Sequence, residues 1–163
     1  MLHLIYGDDP GAVRATVARL RAAHAKDDPS ELNTITLDGE RVTAGEIIGA
    51  CDAFALFGGE RYVEVRGFLA RFLAAPEGQR GRRKAADFDG LLPLAKYLPH
   101  LPESTVLVIW ESGTLNLTPL PAAIRDALVS GEVHTANLPS ATDRSAWLQW
   151  VREHAHAEGA DIT

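Results

Sequence analysis

The 163-residue sequence contains a single cysteine, Cys51, so an internal disulfide is excluded and a reducing cytoplasm is the expected setting. It lacks any apolar run near the roughly 18 to 20 residues that a membrane span requires, which excludes a spanning helix. No secretory leader is expected either. The opening "MLHLIYGDDPG" has no basic segment and reaches a turn by Gly7, so Met1 is expected to start the fold itself. Positive charge is in deficit: 16 Lys and Arg against 22 Asp and Glu leave a net charge of −6. That balance excludes a domain whose whole surface grips nucleic acid, because phosphate binding needs a basic stripe. There is no repeat at a fixed period and no obvious domain linker before the end.

What is present is enough for one domain with a substantial core, hydrophobic residues making up 46% of the chain. "LHLIYG" reads as a first strand, and Val13, Val17 and Leu20 recur at helical spacing behind it, with Asp9 as cap and Pro10 at the first helical position. "NTITLDG" alternates as a second strand. In "TAGEIIGACDAF" Thr43 and Glu46 have the capping-box spacing, and Ile47, Cys51 and Phe54 are expected to share one buried face. "RYVEVRG" is a third strand with Val63 and Val65 on one side. "FDGLLPLAKYLPHL" gives a short helix punctuated by proline, and "STVLVIWES" has the continuous apolar character of a central strand buried on both faces. Thr118 and Pro119 are expected to start a helix that Gly131 ends, "EVHTANL" is a fifth strand, and a final helix is expected to be capped by Ser140 with Asp143 three residues on. Strand and helix alternate throughout, which implies an α/β domain with a mostly parallel five-stranded sheet and helices on both faces.

The strand, glycine turn and helix at the start invite a phosphate-binding loop of the form G-x-x-x-x-G-K-[ST]. Counted from Gly7, its closing positions hold Ala12, Val13 and Arg14, so the second glycine, the lysine and the hydroxyl are all missing. The acidic pair expected after the central strand is replaced by Trp110 and Glu111. No catalytic residue, metal site or cofactor is expected. The six histidines are scattered, and His154 and His156 lie two apart on a helix, pointing away from one another. Cys51 reads as a core cysteine rather than a nucleophile. Trp147 and Trp150 share a helical face, with core packing expected and a base-stacking surface the alternative. In "RFLAAPEGQRGRRKA", Arg71, Arg80, Arg82, Arg83 and Lys84 face only Glu77, so residues 70–86 read as a mobile basic insertion, either simply solvated or able to attract DNA phosphates. Leu56 and Phe57, in "ALFGGER", stand beside two glycines at a corner between helix and strand. Pattern alone favours their burial over exposure.

The order of "LIYGDDPGAVRATVARL", "NTITLDGE", "ALFGGERYVEVRG" and "STVLVIWES" resembles the N-terminal domain of the bacterial DNA polymerase III delta subunit, the clamp-loader subunit that opens the sliding clamp. The family pattern is a Tyr-Gly-Asp-Asp at the first strand, a Leu-Asp-Gly after the second, and a small residue with Leu-Phe before a valine-rich strand. All three occur here in order, and the resemblance runs from Leu2 through the last helix. It implies a Rossmann-like, AAA+-type three-layer domain that has lost ATP binding, with Leu56 and Phe57 as an exposed clamp-binding wedge. It further implies a cytoplasmic accessory subunit of the polymerase holoenzyme whose partners are the clamp (the beta subunit), the delta prime and gamma/tau loader subunits, and primer-template DNA through the full complex, with no membrane. Residues 1–140 would form the clamp-binding domain, and 141–163 the final helix and the start of a link to a lid domain. The family protein is about twice as long, so the chain is expected to be a fragment. It departs from the family pattern in the two glycines of "GGER" and in the basic insertion after Phe68.

Overall fold

The structure is a computed structural model that describes residues 1–26, 28, 31–55, 58–73 and 88–157, with residues 153, 154, 156 and 157 described in backbone alone. Five strands, β1 (Leu2–Tyr6), β2 (Thr34–Asp38), β3 (Arg61–Arg66), β4 (Thr105–Trp110) and β5 (Glu132–Thr135), form one sheet in the order β2-β3-β4-β1-β5. All four pairings are parallel. The helices are α1 (Pro10–Ala25), α2 (Ala44–Asp52), α3 (Ala70–Leu73), α4 (Leu92–Tyr97), α5 (Ala122–Leu128) and α6 (Arg144–Ala157). Short 3-10 turns at Asp89–Leu91 and Leu98–His100 flank α4, as its prolines suggest.

Strand β4 is central, and its alternation supplies both layers of core. Leu107 and Ile109 join Leu4, Val63 and Val65 on one face, packed by Ile47 and Cys51 of α2, Leu94 of α4 and Ile124 of α5. Val108 and Trp110 join Ile5 and Tyr62 on the other, beneath Val13 and Val17 of α1. Right-handed crossovers account for this division: the step from β1 to β2 runs across the sheet opposite to the later steps, so its helix lands on the opposite face.

Several boundaries differ from the sequence expectation. Asp9 and Pro10 start α1 as read, and Thr43 and Glu46 form the capping box reciprocally. The last helix, however, is capped by Asp143, whose Oδ1 accepts the Ala146 N–H at 2.9 Å, while Ser140 lies a turn outside with its hydroxyl 3.2 Å from that of Thr142. Helix α5 starts at Ala122, after Pro121, rather than at Thr118. The expected insertion at 70–86 begins as the helical turn α3. There Arg71 donates to the carbonyls of Gly39 (2.9 Å) and Val42 (2.7 Å), and its guanidinium lies 5.0 Å from the Phe72 ring centre. Arg71 is therefore a tether to the turn after β2, and the rest of that expectation, residues 74–86, falls outside the described residues.

Phe54 is the largest departure. Helix α2 ends at Asp52 and Ala53 is extended (φ −64°, ψ 133°), which breaks the helical phase that would have placed Phe54 beside Cys51. Its side chain is 95% exposed, whereas Ile47 is fully buried. Ile47→Ala is therefore expected to cost about 2–5 kcal/mol in urea unfolding. Phe54→Ala should stay within about 0.5 kcal/mol of the wild type.

Candidate functional site

In an open α/β sheet, ligands bind outside the carboxyl ends of the strands, where neighbouring strands send their helices to opposite faces. Here that point lies between β1 and β4, and the chain fills it with its own backbone. The Gly7 N–H donates to the Gly113 carbonyl at 3.0 Å, and the Asp9 N–H donates to the Ala136 carbonyl at 3.1 Å. A side chain at position 7 would set its Cβ 1.7 Å from the Ala136 oxygen, which is why the turn needs glycine. Asp9 is buried: one carboxylate oxygen accepts the Ala12 N–H at 3.0 Å, and the other accepts the Trp150 indole N–H at 2.7 Å. A carboxylate thus occupies the end of α1 where a bound phosphate would lie. Glu111, after β4, is likewise turned inward. It is 3% exposed and accepts the Leu69 N–H at 2.6 Å. Burial pushes its carboxyl above the ordinary carboxylate range, against the opposing pull of the Leu69 and Ala70 N–H groups.

The second candidate region is the corner between α2 and β3. The end of α2 is tied down by three neighbours. Arg61 Nε donates to the Ala50 carbonyl (2.5 Å), Thr105 Oγ1 to the Cys51 carbonyl (3.0 Å), and the Tyr97 hydroxyl to Asp52 Oδ1 (2.5 Å). Two of the last carbonyls are thus covered by side chains from β3 and β4, the Asp52 carboxylate is held from α4, and no glycine cap is used. On the far side of the corner, Gly58 and Gly59 take left-handed backbone (φ 81° and 87°), and Asn33 Nδ2 donates to the Gly58 carbonyl at 3.1 Å. Both shoulders are anchored, and Phe54 projects into solvent between them. Leu56 and Phe57, the expected wedge, lie outside the described residues. So do Arg80, Arg82, Arg83 and Lys84, the candidate DNA contacts.

Cys51 is buried as expected, and burial, followed by the Asp52 charge, pushes its thiol up to about 12, well away from nucleophilic use. Trp147 and Trp150 are half-buried and stack edge-on at 5.6 Å between ring centres. The Trp147 indole donates to the Ser140 carbonyl (3.1 Å), so these rings pin the start of α6 and dock it on the first turn rather than filling the core. His154 and His156 lie on α6 with side chains outside the description. Sequence reasoning missed His3 and His134, which the parallel register brings together beside Glu132. The signal was present as the alternation of Glu132 and His134 on one strand. Its partner, His3, is 129 residues before Glu132 in the chain and becomes its neighbour only once β5 pairs with β1.

Residues 3–117, well over half of the chain, match the family described as DNA polymerase III, delta subunit. No curated protein matches. Among solved structures, the Bacillus subtilis DNA clamp loader delta protein (YqeN) superposes on 99% of this chain with a TM-score of 0.71 at 17% identity, a likeness of fold. The likeness covers 44% of that protein's chain, so the present chain spans less than half of its length.

Because burial holds Glu111 above its ordinary value of 4.5, its contribution to stability is fully present below about 4.5 and is lost as the pH rises through the folded-state value. Glu111→Gln cannot ionise. Its stability relative to the wild type is expected to rise with pH from about 4.5 upward in chemical denaturation at a series of pH values. A flat difference would mean that the carboxylate ionises there as freely as in water.

Proposed function

The chain belongs to the DNA polymerase III delta subunit family, and from that premise we propose that it is the clamp-contacting part of a clamp-loader subunit, which binds the sliding clamp and biases it toward the open form without hydrolysing ATP. The observation that carries this reading is the α2 corner. A large aromatic residue, Phe54, is 95% exposed on a helix end that three hydrogen bonds hold in place, two residues before the Leu56-Phe57 pair. An anchored corner that displays a large apolar side chain suits a protein partner with an apolar pocket. Leu56 and Phe57 are the proposed wedge.

The self-occupied crevice supports the second half of the reading. With Asp9 on the end of α1, Glu111 committed to the 69–70 backbone, and no lysine in the first turn of α1, the groups described at the start of α1 and after β4 offer carboxylates, not positive charge, to a triphosphate. Hydrolysis would fall to partner motor subunits of the gamma/tau type, with delta prime and primer-template DNA engaged through the full complex. Residues 141–163 would lead toward a lid domain, with α6 docked on the body through Trp150 and Asp9.

Two measurements test the proposal. Truncating Leu56 and Phe57 together to Ala is expected to weaken clamp binding by at least about 2 kcal/mol, roughly thirtyfold, while the melting temperature holds. A double variant that melts early yet binds the clamp normally once folded would overturn the wedge. In calorimetry, ATP with magnesium is expected to give no binding heat. Micromolar ATP affinity would overturn the account of the crevice.

A further inference from the structure

On the face of the sheet that α1 covers, β1 and β5 place His3 directly opposite Glu132, with His134 two residues along β5 on the same side. His3 Nδ1 lies 3.2 Å from His134 Nε2 and 3.4 Å from Glu132 Oε2, and the last two atoms are 3.6 Å apart. A tetrahedral zinc ion with bonds of about 2.0–2.1 Å holds its ligand atoms about 3.3–3.4 Å from one another, so the three separations match the edges of such a site. We propose that His3, Glu132 and His134 form a binding site for a zinc-class divalent transition-metal ion, with solvent as the fourth ligand.

Chemistry and placement both favour a cation there. Three electron-pair donors converge within 3.6 Å, and one shared proton can bridge only two of them at a time, whereas a dication satisfies all three. Two imidazoles and one carboxylate are a known zinc ligand set, and nitrogen-rich sites favour the later first-row metals over magnesium or calcium. His3 is 5% exposed, so its ring is held by packing, and the exposed Glu132 and half-buried His134 leave an approach from solvent. The ion would join the four-residue edge strand β5 to β1 by a second kind of bond beside the backbone ladder. Because the three ligands meet only in the folded sheet, metal would bind the native state in preference to the unfolded one and raise its stability.

The test uses the 163-residue chain stripped with EDTA and titrated with zinc. One zinc per chain by calorimetry, with a melting temperature that rises on zinc addition and returns with EDTA, is the expected result. Glu132→Gln and His134→Gln, both outside the core, should each weaken zinc binding by at least about tenfold and abolish the thermal shift while keeping the wild-type far-ultraviolet dichroism. No zinc uptake by the wild type would overturn the proposal. So would unchanged uptake in both variants.

Discussion

Parallel strands can be joined only by crossovers, and the crossover of an L-amino-acid chain is right-handed. With the sheet ordered β2-β3-β4-β1-β5, this single constraint decides where everything else lies. It puts α1 alone on one face and α2, α4 and α5 on the other, and it opens a crevice between β1 and β4 at the carboxyl ends of the strands. It also delivers the end of α2 to the amino ends of the strands, where β3 begins. The crevice that has closed on itself and the corner that displays Phe54 are therefore at opposite ends of the strands of one sheet. The turn at Gly7 could be filled by the chain's own backbone with no consequence for the α2 corner.

Register is the second constraint, and a buried charge marks it. Glu64 is 6% exposed on the α1 side, where it accepts the Trp110 indole N–H at 3.0 Å and lies 3.7 Å from Arg21 of α1. Side chains alternate along a strand, so a slip of β3 by one residue would carry Glu64 into the apolar layer of Leu4, Leu107 and Ile109, turn Val63 and Val65 away from it, and strip Glu64 of both partners. The cost of an unpaired buried carboxylate, several kcal/mol, far exceeds what a slipped ladder could recover. The same alternation brings His3, Glu132 and His134 to one face.

Local signals in the sequence were reliable where the physics is local. Asp9 with Pro10, and Thr43 with Glu46, are caps whose partners lie within a turn, and both starts were legible. Strand identity was legible from alternation. Errors arose where a distant partner decided the outcome. Phe54 continues the helical spacing of Ile47 and Cys51, yet α2 stops at Asp52 because Arg61, Thr105 and Tyr97 take up its last polar groups from outside. Arg71 looked like the start of a basic insertion, but its partners are the carbonyls of Gly39 and Val42, some thirty residues earlier. Ser140 lost the cap to Asp143, and beyond that cap Trp147 and Trp150 draw the helix onto the first turn. For the wedge itself, pattern alone favoured burial of Leu56 and Phe57, and only the resemblance to the delta family turned that expectation around.

The tethering of the α2 corner bears on how a subunit without chemistry could act on a partner. A ligand shifts a conformational equilibrium only by its difference in affinity for the two states, however tightly it binds. On the proposed reading, burying a Leu and a Phe contributes roughly 1.5–3 kcal/mol each, but that energy would favour both forms of a clamp equally if the presenting segment could follow the pocket as it moved. The two shoulders are held at Ala50, Cys51, Asp52 and Gly58 by side chains from β3, β4, α4 and the residue before β2, which would limit such following. This anchoring also lowers the ordering cost on association, since the backbone on both sides is fixed before the partner arrives. Rigidity at the corner would thus turn apolar contact into a preference for one shape of the partner, which is the work that a clamp-opening subunit must do.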